Sequence, residues 1–168
     1  MQEELGFTDA EWGLLVGLPQ SVMLAASSIE DDGTRRTATE NAAGLAAIAD
    51  GRQSASQLVY AIANEIAAQV GDPEQDEELP GQPTPELPVP PEPDAYATDV
   101  LDRARSAAAL LRQRADEGDA GAYKHWLVTI ADEVVGAAST GGVLGIGGTP
   151  VSDAERSFRD DLSAVLHD

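Results

Sequence analysis

The chain has no cysteine, a single lysine (Lys124) and only seven aromatic residues, two Phe, two Trp and three Tyr, among its 168 positions. Without cysteine, a disulfide framework and thiolate metal ligation are both excluded. With so few aromatics, a core must be assembled from small aliphatic side chains, and alanine alone fills 28 positions. No stretch approaches the ~18 consecutive apolar residues that a membrane span requires. The first residues, Met1 to Phe7, hold two glutamates and no basic segment ahead of an apolar run. They are not expected to act as a signal peptide, and a cytoplasmic location follows.

Positive charge is scarce as well. Ten basic residues stand against thirty acidic ones, giving a net charge of −20 and an isoelectric point near 4.1. Nucleic-acid binding starts from a basic face that displaces counterions from phosphates, and none is present here. Anionic membrane surfaces are disfavoured on the same ground. At molar ionic strength the screening length falls to ~3 Å, so such an acid excess is tolerated and keeps a protein dispersed. The acidity therefore reads as adaptation to a salt-rich, halophilic cytoplasm, and leaves the acids without a catalytic role.

What the chain has in abundance is helix signal, interrupted once. Residues 72–94 contain eight of the ten prolines, eight acids and no base. Such a segment lacks the donors for helix or sheet and extends by self-repulsion, so a disordered acidic tether is expected there. The boundaries that follow are an N-terminal helical half over 1–71, the linker over 72–94, and a C-terminal half over 95–168 that packs on the first. Pro80-x-x-Pro83 and Pro85-x-x-Pro88 have the spacing of groove ligands, but no flanking base orients them.

On either side of the tether apolar residues recur every three or four positions. The first helix presents Trp12, Leu15, Val16, Val22 and Met23, with a bend expected at Pro19. Later helices present Leu58, Ile62, Ile66 and Val70; Val100, Ala104, Ala108 and Leu111, before Gly118; Tyr123, Leu127, Ile130, Val134 and Ala137; and Phe158, Leu162 and Val165. Thr8-x-x-Glu11, Thr37-x-x-Glu40, Ser54-x-x-Gln57 and Ser152-x-x-Glu155 each match the capping box, in which a hydroxyl and an acid or amide satisfy free N–H groups reciprocally. The fold class is all-α, about six helices in one bundle. Leu15 to Ser27 aligns with Leu127 to Ser139 at a shift of 112, and Glu40 with Glu155 at a shift of 115. The bundle is therefore read as two pseudo-repeated helix–loop–helix halves, each needing the other to cover an apolar stripe.

Two segments, Phe7-Thr-x-x-Glu11-Trp12-x-x-Leu15-x-x-x-Pro19 and the glycine-rich run from Gly141 to Glu155, resemble a family of small prokaryotic proteins of uncharacterised function. The order helix, glycine-containing loop, Ser-x-x-Glu cap is also loosely similar to the TerB-like domains of tellurite-resistance systems. That resemblance implies an all-helical fold and divalent-metal binding by acidic residues near the loops. The chain departs from the pattern in its second loop, where glycines replace an acidic turn.

Candidate chemistry is sparse. With Gly33 taken as the turn glycine of a calcium loop, Ser28, Glu30 and Asp32 take the first three ligand positions and Glu40 falls one residue beyond the twelfth. Arg35 and Arg36 inside the loop repel a cation, and a solvated Asp32-Gly33 turn is the simpler reading. Glu30, Asp32 and Glu40 are retained as candidate carboxylate ligands for Ca²⁺ or another divalent cation; no other cofactor is indicated. The glycine loop 141–148 lacks the preceding strand and the lysine of a phosphate loop. Its Val143, Leu144 and Ile146 form a candidate apolar plug or partner contact. His125 and His167 are too few for a zinc site, and Asp132-Glu133 and Asp160-Asp161 read as solvated pairs. The expectation is a non-enzymatic helical protein that works by binding a protein partner or a second copy, with neither nucleic acid nor membrane as partner. The alternative is a TerB-like module that binds a metal.

Overall fold

The computed structural model describes residues 5–29, 34–70, 90–140 and 151–168, the side chains of 34–37, 70 and 138–140 excepted. The described residues are helical, with no strand among them. The helices are α1 (Asp9–Ser28), α2 (Thr34–Asp50), α3 (Gln57–Val70), α4 (Pro93–Arg114), α5 (Glu117–Thr140) and α6 (Asp153–His167), with a 3-10 turn at Gly51–Gln53 between α2 and α3. Residues 71–89, which hold most of the proline-rich segment, lie outside the described residues.

Two of the four expected caps stand as read. Thr8 Oγ1 accepts from Glu11 N while Thr8 N donates to Glu11 Oε2, at 3.3 and 2.8 Å. Ser152 and Glu155 reproduce the pair at the start of α6, at 2.9 and 3.1 Å. The other two are corrected. Helix α2 begins at Thr34, so Thr37 and Glu40 lie inside it rather than at its cap. Helix α3 begins at Gln57, and the hydroxyl that accepts from its first turn is that of Ser56, from Val59 N at 3.3 Å, with Ser54 bracing Ser56 N from behind. Helix α4 ends at Arg114, before Gly118. Asp116 Oδ1 accepts from Asp119 N at 2.9 Å and starts α5 there, six residues before Tyr123.

The helices stack in three layers. Helices α1 and α5 form the central pair and pack on each other. Helices α2 and α3 cover one side of that pair; α4 and α6 cover the other. The core therefore comes from both sides of the proline-rich segment: Leu15, Leu18, Val22 and Met23 of α1 are fully enclosed, as are Tyr123, Leu127 and Ile130 of α5. Every expected core residue with a described side chain is buried, apart from Ala137, which is half-buried.

Small side chains set how closely the layers approach. At Gly44 of α2 an added Cβ would sit 2.8 Å from Met23 Sδ and 2.9 Å from Val134 Cγ2. Those contacts are too short, so α2 rests its backbone directly on both helices of the central pair. No described helix is long and apolar enough to cross a membrane.

Candidate functional site

The most elaborate polar arrangement in the described interior surrounds Pro19. Helix α1 runs through this proline for nine further residues. Proline has no N–H, so the Leu15 carbonyl four residues back loses its helical donor. The Tyr123 hydroxyl, reaching across from α5, donates to Leu15 O at 2.7 Å in a fully buried position. One turn further along, Ser21 Oγ donates to Gly17 O at 2.9 Å. Arg103 of α4 donates to Ser21 Oγ at 3.1 Å and pairs with Asp99 at 3.7 Å. The irregular turn of α1 is thus held by side chains from α4 and α5.

The chemistry of this cluster is structural. Burial pushes the Tyr123 phenol well above its ordinary range, with the Arg103 charge acting weakly in the opposite direction. The hydroxyl stays neutral and engaged, which suits a permanent donor and disqualifies it as an acid or base at physiological pH. Ser21 is buried and its hydroxyl is engaged with the Gly17 carbonyl and with Arg103.

A second interior polar group repeats the logic at the end of α2. Trp126 Nε1 donates to Ala47 O at 2.9 Å, one of the last carbonyls of that helix. Its ring meets the Tyr123 ring edge-on at 6.1 Å. An added Cβ at Gly51 would lie 2.6 and 2.8 Å from Trp126 Cζ2 and Cε2, so the glycine gives the indole its seat. Neither Pro19–Tyr123 nor Ala47–Trp126 was singled out from sequence. The only available signal was a proline inside a helix, which announces an orphaned carbonyl without naming its donor.

Glu30 and Asp32 lie outside the described residues, as do Val143, Leu144 and Ile146. Glu40 is 3% exposed within α2. Among the described residues no group of three or more His, Asp or Glu is placed to hold a metal ion. His125 and His167 are exposed, and His167 Nδ1 lies 2.7 Å from Ser163 O. Asp132 and Asp160 both serve Arg159, whose Nε and Nη2 contact the two Asp132 oxygens at 2.6 and 3.2 Å and whose Nη1 contacts Asp160 at 3.1 Å. This clamp fastens α6 to α5 and holds the arginine's proton more tightly than usual.

Acid sensitivity is concentrated at helix starts. The Thr8 backbone N–H, helped by its hydroxyl and by Arg114 at 3.3 Å, holds the Glu11 carboxyl below its usual 4.5. The Asp119 and Gly118 N–H groups do the same for Asp116. Both groups are depressed in the folded state. Their contribution is therefore complete above about pH 4.5 and is lost as pH falls through the lower folded values. We expect the urea midpoint to drop below about pH 4.5 in constant salt. Glu11→Gln should flatten part of that decline; an unchanged slope would show that the Thr8 cap carries no proton linkage.

Compared with models of protein families, with curated proteins and with solved structures, the chain matches none, so the likeness to TerB-like domains rests on the quoted residues alone.

Proposed function

We propose that this is a non-enzymatic helical protein, acting in a salt-rich cytoplasm through contact with a protein partner or through self-association. One observation carries the reading. Polar side chains enclosed in the described interior are spent on the fold itself, Tyr123 and Trp126 on helix carbonyls, Ser21 on Gly17 O and Glu155 on a cap, while Asn41 Oδ1, an amide oxygen that neither titrates nor attacks, is buried without a hydrogen-bond partner. Catalytic groups are recognised by the opposite condition, a titratable or nucleophilic side chain held unsatisfied in a cleft. A scaffold whose buried tyrosine, tryptophan, serine and glutamate are committed in this way leaves its surface as the working part.

The test is light scattering and sedimentation of the full chain over a range of concentrations. A mass above 17.5 kDa that grows with concentration is the expected result. Val143→Ser combined with Leu144→Ser examines the apolar plug as one contact, and a fall in mass with unchanged helicity would assign it to the interface. A constant monomer mass, with no complex formed on any co-purified chain, would remove the reading.

A further inference from the structure

We draw no further inference here: the strongest candidate, the surface patch of exposed Arg105 and Arg112 two turns apart on α4, includes Asp102, which Arg105 already engages at 2.6 Å, and nothing in the structure shows what covers it.

Discussion

Tyr123→Phe is expected to lower the unfolding free energy by about 1–3 kcal/mol, read from urea denaturation at fixed salt, because it leaves a buried carbonyl with no donor. Ordinarily a helical carbonyl loses little when a side-chain partner is removed, since its own N–H donor remains. Leu15 has no such reserve: the residue four positions on is Pro19, and the Tyr123 hydroxyl at 2.7 Å is its replacement. The double-mutant cycle makes the argument sharp. In a Pro19→Ala background the N–H at position 19 can close the helical bond, and the same Tyr123→Phe change should then cost less than about 0.5 kcal/mol. Equal losses in the two backgrounds would mean that the hydroxyl and the proline are not coupled, and the account of α1 would have to be abandoned.

Gly51→Ala should be the second costly change, at about 1–3 kcal/mol, the range for forcing extra atoms into a filled interior. The backbone at Gly51 has no left-handed twist that would demand glycine, so strain is not the cause. The obstacle is Trp126, whose ring atoms lie 2.6 and 2.8 Å from the added methyl, with Ala63 Cβ at 3.0 Å on another side. An indole fixed by its own bond to Ala47 O has little room to yield. Trp126 fluorescence should therefore shift in step with the loss of stability. Gly121→Ala supplies the contrast: it is an exposed helical position where an added Cβ meets nothing within 4 Å. There the helix propensity of alanine should raise stability by up to about 1 kcal/mol. If the two substitutions move stability in the same direction, packing against Trp126 is not what fixes Gly51.

The number of helices and their buried stripes were legible because apolar residues keep a period near 3.6 wherever the chain is not proline-rich. Thr8 and Ser152 were legible as caps because each sits alone before its helix. Ser54 and Ser56 compete at the start of α3, and local sequence cannot choose between them. The choice falls to Ser56, whose hydroxyl also donates to Asp119 of α5 at 2.5 Å, a partner 63 residues away. Gly118 marked the break after α4 only loosely, because Asp116 caps the next helix so close by that the glycine falls within its first turn. Thr37-x-x-Glu40 matched the capping spacing, yet α2 had already begun at Thr34, and a spacing rule has no means of seeing that. The candidate sites were hardest to reach. Glu30, Asp32, Val143, Leu144 and Ile146 are outside the described residues. The groups that organise the interior, Tyr123 and Trp126, draw their roles from carbonyls more than seventy residues distant.

The placement of α1 between partners that come later in the chain has a consequence during synthesis. When a ribosome has just finished α3, the residues of α1 that will meet α4 and α5 have been made and their neighbours have not. About 65 more residues must be added before Val134 and Val135 are made, which at ~5–20 residues per second takes roughly 3–13 seconds. Throughout that interval the parts of α1 that will meet α4 and α5 wait uncovered. The nascent chain is then most in need of a holding chaperone, and most open to capture by the same segment of a neighbouring polysome product.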